Sequence, residues 1–129
     1  MKRLGLLLLL LSPVVVGSDK ITSLKVTATA YNSLSTQTDS TPDIAAWGDR
    51  LKPGMKAIAV SRDLLKQYGL RYMQSVTIYV DGIKLPDKYK VMDKMHPRKN
   101  RQIDIYMGYD KDKALTWGRR EAIIEYQDH

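Results

Sequence analysis

The chain has 129 residues, a length that accommodates a single domain. Hydrophobic residues make up 43% and charged residues 27%, a balance that is typical of globular proteins and too apolar for a disordered tail. Cysteine is absent, which excludes disulfides, thiolate nucleophiles and thiolate metal sites. Only His96 and His129 are imidazoles, so neither a multi-histidine metal site nor a Ser-His-Asp triad is expected.

The N-terminus has the order of a secretory signal. Two basic residues are followed by an unbroken apolar run at residues 4–11 and then by small residues. The apolar stretch is shorter than the roughly 20 residues that a membrane-spanning helix needs, and Pro13 interrupts it. We therefore predict a signal peptide at residues 1–17 and an exported domain at residues 18–129, located in the periplasm or the cell envelope.

The formal net charge of the chain is +7 at pH 7. A basic surface can attract nucleic acid, an anionic membrane or an acidic polymer, or it can simply be solvated. Export makes nucleic acid a poor partner, and the sequence contains no nucleic-acid-binding signature. We expect no nucleic acid partner and no stable membrane insertion once the signal is cleaved.

The first predicted strand of the mature domain covers residues 24–31. Its apolar residues alternate with polar ones, which places Thr29 and Tyr31 together on the polar face. Residues 32–42 are rich in Ser, Thr, Asn and Asp without apolar periodicity, and they predict a long loop. Long loops in small domains are usually functional or mobile.

The middle of the chain predicts short elements joined by turns. Ser61 is expected to cap a short helix that ends at Gly69, and Asp81-Gly82 marks a tight turn. A basic loop at residues 93–101 contains Pro97, which blocks regular strand pairing. The predicted strands of this part are residues 57–60, 75–80 and 89–92.

The last part of the chain alternates again at residues 102–106, where Asp104 lies on the face opposite two isoleucines. Asp104 is thus held by a strand. A short helix that begins at Asp110 or Asp112 and a strand at residues 122–126 complete the chain. Five or six short strands with two short helices and no βαβ alternation predict a small β-barrel or an α+β meander.

Seven short segments of the mature domain form a pattern when they are taken in order. Its most specific part is the separation of Asp93 from Asp104, followed by Asp-Ile-Tyr and by Trp-Gly-Arg-Arg. The pattern resembles the 3D domain, which is named for three aspartates and is related to the catalytic barrel of membrane-bound lytic transglycosylase A and to RlpA-like proteins. The resemblance implies a mainly β fold, a six-stranded double-psi β-barrel with one or two short helices. The matching segments are residues 27–31, 46–48, 51–54, 58–61, 91–93, 103–108 and 114–119.

The resemblance also implies an activity, the cleavage of peptidoglycan between N-acetylmuramic acid and N-acetylglucosamine to give a 1,6-anhydro product. Asp104 matches the principal catalytic aspartate of the family, and Asp93 matches a supporting one. We expect glycan strands as the partner, a monomer, and neither a metal ion nor a cofactor. The candidate substrate-binding residues are Thr29, Tyr31, Trp47, Tyr106, Arg98 and Lys99.

Lytic cleavage places fewer demands on the protein than ordinary glycoside hydrolysis, because the substrate's own C6 hydroxyl is the attacking group. One aspartate can then act first as acid and afterwards as base. Asp104 must keep its proton near neutral pH, which requires burial or a second carboxylate beside it. The cations of the basic loop, Arg98 and Lys99 among them, must point away from Asp104, and we expect those two to bind the lactyl and peptide-stem carboxylates.

Two other functions fit the same residues. The first is a non-catalytic cell-wall glycan-binding barrel, which is favoured because Ser61 replaces an aspartate and Ala45 replaces a hydroxyl residue of the family pattern. The second is a small structural or toxin-like envelope protein that acts through its positive charge. Asp93 and Asp104 would then only pair with arginines or cap turns, and Trp47 would anchor its loop instead of stacking on a sugar.

Overall fold

The computed structural model describes residues 20–32, 45–108 and 111–128, and the predicted signal peptide, most of the predicted 32–42 loop and Asp110 lie outside them. The described residues form seven strands and two short helices. In chain order these are β1 (Ile21–Tyr31), β2 (Ala57–Val60), α1 (Arg62–Lys66), β3 (Ser75–Val80), β4 (Ile83–Lys84), β5 (Tyr89–Lys94), β6 (Gln102–Tyr106), α2 (Lys111–Trp117) and β7 (Arg120–Gln127).

Six of these strands close into a mixed barrel in the order β3-β5-β2-β6-β1-β7, and β3 pairs with β7 to complete the circle. The β1–β6 and β2–β5 pairs are parallel, and the other pairs of the barrel are antiparallel. The predicted six-stranded double-psi β-barrel is therefore confirmed. The short strand β4 is additional and pairs only with β3, as the second arm of the hairpin that begins at Asp81-Gly82.

The interior of the barrel is filled by the apolar residues that alternate along each strand. Val26 and Ala28 of β1 and Ile103 and Ile105 of β6 are buried there, which confirms the predicted inward faces of both strands. The partly buried Trp117 packs against the same core. Because side chains alternate across a strand, the residues between these positions point out of the barrel.

A second apolar cluster covers part of the outer surface, and we call it the outer cluster. Its members come from the segment between Ala45 and Leu51 and from the outward positions of three strands. Leu51 is 2% exposed and Tyr106 is 4% exposed, so this part of the strand surface is not open to water. The outer cluster consists of Ala45, Leu51, Ala57, Met92 and Tyr106.

Three local features differ from the sequence-based expectation. Helix α1 ends at Lys66, three residues before the predicted Gly69. Strand β5 continues to Lys94, so Asp93 lies on a strand and not at the start of the basic loop. Ser61 is the N-cap residue of α1, but its hydroxyl does not cap the helix. It accepts the N–H of Gln102 at 3.0 Å, because a fully buried hydroxyl needs a partner and β6 offers one. Neither helix of the described ranges has the length and hydropathy of a membrane span.

Candidate functional site

Four residues on neighbouring strands lie at one level across the outer surface of the barrel, and we call them the aspartate row. In the strand registers Asp93 of β5 is opposite Ala59 of β2, Ala59 is opposite Asp104 of β6, and Asp104 is opposite Thr29 of β1. Residues opposite each other on paired strands project from the same face. The two aspartates are two strands apart, which is about 10 Å between Cα atoms.

An irregularity in the β2–β5 register brings Asp93 into this row. Ile58 is opposite Val91, but the next residue, Ala59, is opposite Asp93, so Met92 is skipped. Such a bulge re-aims the side chains that follow it. Ala59 lies between the two aspartates, and its methyl group is buried, at 5% exposure.

Asp104 is the more buried of the two carboxyl groups. The Thr29 hydroxyl donates a hydrogen bond to its Oδ1 at 2.8 Å, and the Gln102 amide lies behind that hydroxyl at 3.4 Å. Burial raises the pKa of Asp104 to about 6; the Thr29 hydrogen bond and the charge of Lys99 act in the opposite direction, while the charge of Asp93 adds to the rise. Asp104 is thus protonated in a large fraction of molecules near pH 6.

Asp93 joins the strand to the segment that carries Trp47. Its Oδ1 accepts hydrogen bonds from the backbone N–H of Ala46 at 2.7 Å and from its own neighbour Lys94 at 2.9 Å. Burial raises the pKa of this carboxyl group, and the two backbone hydrogen bonds oppose the rise. Asp93 therefore has two roles in the structure, since it adds negative charge near Asp104 and holds the Ala46-Trp47 segment in place.

Tyr31 lies beside both carboxyl groups. Burial raises the pKa of its hydroxyl first, and the charges of Asp93 and Asp104 raise it further. The hydroxyl interacts with Asp93 but has no hydrogen bond of normal geometry within the described part of the chain. The ring of Tyr106 packs against that of Tyr31 with centroids 5.5 Å apart. Tyr106 was predicted as a substrate contact, but at 4% exposure it supports Tyr31 and offers almost no surface to a ligand.

The basic residues near the row do not form an ion pair with Asp104. The guanidinium of Arg101 turns away and donates to the Lys25 carbonyl at 2.9 and 3.1 Å. Arg98 is exposed, and Lys99 is half-buried and close enough to lower the pKa of Asp104. No salt bridge to Asp104 is present among residues 20–32, 45–108 and 111–128.

The third aspartate of the family pattern has no counterpart in the aspartate row. Ser61 is fully buried, and its hydroxyl is occupied by Gln102. Asp63, two residues later, accepts a hydrogen bond from the backbone N–H of Arg101 and lies outside the aspartate row. In the described ranges, no group of three or more His, Asp or Glu residues has a geometry that could hold a metal ion.

Tyr72 lies next to the site and was not predicted from the sequence. Its ring contacts that of Trp47 with centroids 4.9 Å apart, and its hydroxyl donates to Asp49. Trp47 and Tyr72 are 37% and 41% exposed. Tyr72 lies in a turn between α1 and β3 without periodicity, so no local signal could have linked it to Trp47.

A separate groove of about 470 Å³ lies elsewhere on the barrel, on the outer surface of β1, β7 and β3. Its walls include Tyr79, Glu121 and Ile123, and none of the aspartate row lines it. We call it the β7 groove. It has volume but lacks a pair of buried carboxyl groups, so we place the candidate site at the aspartate row.

Neither a protein-family model nor a curated protein matches the sequence. Among solved structures, the chain is similar to the apo form of an expansin from Clavibacter michiganensis, with a TM-score of 0.52 and 14% identity over 84% of this chain and 51% of the expansin chain. It is also similar to an aspartate-to-asparagine mutant of that expansin in complex with cellohexaose, with a TM-score of 0.50, 13% identity and the same coverage. The chain thus spans about half the length of the expansin.

At these identities the likeness concerns the fold alone. The shared element is the double-psi β-barrel, which expansins have in common with lytic transglycosylase and RlpA domains. Membership of the 3D family, the role of each site residue and the exported location stay predictions.

Proposed function

We propose that this protein is an exported cell-wall protein that binds a glycan strand along the aspartate row. The observation that carries the proposal is the alignment of Asp93, Ala59, Asp104 and Thr29 on one face of the barrel, with a small residue between two carboxyl groups. Sugar hydroxyls need acceptors, which two carboxylates provide at fixed positions. The cellohexaose complex of an expansin with a similar fold supports a glycan as the ligand.

The surroundings of the row fit a chain-like ligand better than a small compact one. Tyr31 lies beside both carboxyl groups, and the exposed Trp47 follows Ala46 at the Asp93 end, so aromatic side chains border the row. An aromatic ring with a polar edge suits a sugar, which has an apolar face and polar rims. The exposed Arg98 and the half-buried Lys99 offer positive charge for the carboxylates of peptidoglycan. Binding through these charges should weaken as salt is added.

A second candidate function is lytic cleavage of that glycan, and the pKa of about 6 for Asp104 favours it. In this reaction the proton of Asp104 goes to the leaving O4 oxygen as the C1–O4 bond breaks. C1 belongs to an N-acetylmuramic acid residue, and the C6 hydroxyl of that residue forms the new bond to C1 and gives its proton to the Asp104 carboxylate. No water or cofactor is consumed. Asp93 would act as a positioning residue, because it holds the Ala46-Trp47 segment and adds negative charge near Asp104.

One experiment tests both functions. Purified protein is incubated with peptidoglycan sacculi at about pH 6 and at about pH 8. Bound protein is measured by co-sedimentation, and released muropeptides are analysed by mass spectrometry. Asp93→Asn with Asp104→Asn should weaken binding about tenfold at about pH 8, where charged acceptors are lost. The matched control, Glu121→Gln with Glu125→Gln on β7, should bind like wild type.

The products separate the two functions. Lytic cleavage is established if wild type releases anhydromuropeptides and Asp104→Asn does not. Their release by wild type should also slow as pH rises through about 6. Binding without any anhydro product would leave a glycan-binding barrel and remove the enzyme. Equal binding by wild type and the double aspartate variant would overturn the proposed site.

A further inference from the structure

The most exposed aromatic surface near the aspartate row belongs to two residues from separate parts of the chain. Trp47 and Tyr72 leave 37% and 41% of their surfaces exposed while their rings touch at an interplanar angle of 41°. Tyr and Trp are enriched at binding interfaces, where one part of the ring is apolar and another is polar. The hydrogen bond from Tyr72 to Asp49 holds the second ring in place.

The ring pair is fixed at one end of the row. Ala46 donates its backbone N–H to Asp93 at 2.7 Å. Trp47 is the next residue, so the ring pair begins beside the last carboxylate of the row. The rings therefore lie next to the Asp93 end of the row.

A cation accompanies the rings. The Lys94 ammonium group lies 5.2 Å from the centre of the Trp47 ring, within the range of a cation–π contact. Lys94 also follows Asp93 on β5. An apolar surface with one adjacent positive charge matches a pyranose ring that carries a carboxylate substituent.

We propose that Trp47, Tyr72 and Lys94 form a separate subsite that binds the next sugar of the glycan, one that carries a carboxylate. This inference rests on the proposed function and deepens it, because it assigns a direction to the glycan strand and a chemical class to one of the sugars in that glycan. The rings pack against the apolar face of the sugar, and the Lys94 ammonium group pairs with its carboxylate.

Binding is measured by titration calorimetry in the Asp104→Asn background, where a cleaving enzyme cannot consume its ligand. The two probes are a glycan of alternating N-acetylglucosamine and N-acetylmuramic acid, which carries lactyl carboxylates, and a chitin oligosaccharide of equal length, which carries none. Tyr72→Ala should weaken binding of both probes about tenfold, whereas Tyr72→Phe, which keeps the ring, should stay within about twofold. Lys94→Gln should weaken only the acidic probe, by up to about fivefold at low salt.

Two controls separate ligand contact from a change of structure. Ile83→Ala removes an exposed apolar side chain from β4 and should change neither affinity. The amide resonance of Ala46 reports whether its hydrogen bond to Asp93 persists, so an unshifted resonance in Tyr72→Ala shows that the segment is intact.

The outcomes distinguish this inference from the proposed function. If Asp93→Asn weakens binding while Tyr72→Ala and Lys94→Gln do not, the subsite is wrong and the glycan site stands. Equal losses for both probes in Lys94→Gln would overturn the carboxylate assignment. If the wild-type protein binds neither probe, the proposed function fails, and the subsite fails with it.

Discussion

Two outer faces of the same barrel carry a similar pattern of residues but differ in what covers them. On one face Tyr31 lies near Asp93 and Asp104, and on the other Tyr79 lies near Glu125. The pKa of Tyr31 is raised chiefly by burial, whereas the pKa of Tyr79 is raised chiefly by the charge of Glu125. A tyrosine beside an acid is therefore common to both faces, and the burial of the Tyr31 hydroxyl is what separates them.

The outer cluster accounts for this difference. Leu51 and Ala45 pack onto the outward side chains of β2, β5 and β6, beside the aspartate row. The β7 groove has no such cover, and Ile123 on its wall is 38% exposed. A polar strand face thus acquires a carboxyl group with a raised pKa when a neighbouring segment excludes water from it.

Removing the cover should have the largest effect on stability. Leu51→Ala deletes a side chain that is 2% exposed, so we expect a loss of about 3 kcal/mol in the free energy of unfolding by urea denaturation. Ile123→Ala, at 38% exposure, should cost less than about 1 kcal/mol. Leu51→Ala should also lower the pKa of Asp104, because water would reach it. Equal losses in the two variants would contradict the role given to the outer cluster.

The next largest effect should come from removing the buried charge. Because the pKa of Asp104 is raised to about 6 in the folded protein, the folded state binds more protons than the unfolded state between about pH 4 and pH 6. Wild-type stability should therefore fall as pH rises through this window. Asp104→Asn cannot ionise, so it should be more stable than wild type at about pH 8, by on the order of 2 kcal/mol.

This gain should disappear at about pH 3, where Asp104 is protonated in both states. Thermal or urea unfolding at the two pH values measures it. Glu125→Gln is the control on the opposite face, and it should change the unfolding free energy by less than about 0.5 kcal/mol at both pH values. A gain of equal size for both variants would mean that net charge, and not the burial of Asp104, is responsible.

The parts of the fold that depend on local periodicity could be predicted from the sequence. Alternation of apolar and polar residues identified the inward faces of β1 and β6 and placed Thr29 and Asp104 on outward faces. A two-residue period is a property of each strand alone, so no partner strand is needed to recognise it. The barrel itself was expected from the resemblance and from the many short strands.

The features that depend on contacts between distant segments could not be predicted. The skipped residue in the β2–β5 register puts Asp93 on a strand, and register is fixed by pairing across the sheet. The contact between Trp47 and Tyr72 joins two segments that have no regular period. The hydroxyl of Ser61 was expected to cap a helix, but it accepts a hydrogen bond from the backbone N–H of Gln102 on β6.

The smallest effect should come from the hydrogen bond inside the aspartate row. The Thr29 hydroxyl donates to Asp104 at 2.8 Å, which stabilises the ionised carboxylate and lowers its pKa. Thr29→Val keeps the shape of the side chain and removes this donor, so we expect the pKa of Asp104 to rise by about one unit, measured by NMR titration of its carboxyl carbon. Thr27→Val, on the same face of β1, should leave that pKa unchanged. A pKa that falls in Thr29→Val would mean that the hydroxyl does not donate to the carboxylate, and an unchanged one would mean that burial alone sets the proton affinity of this face.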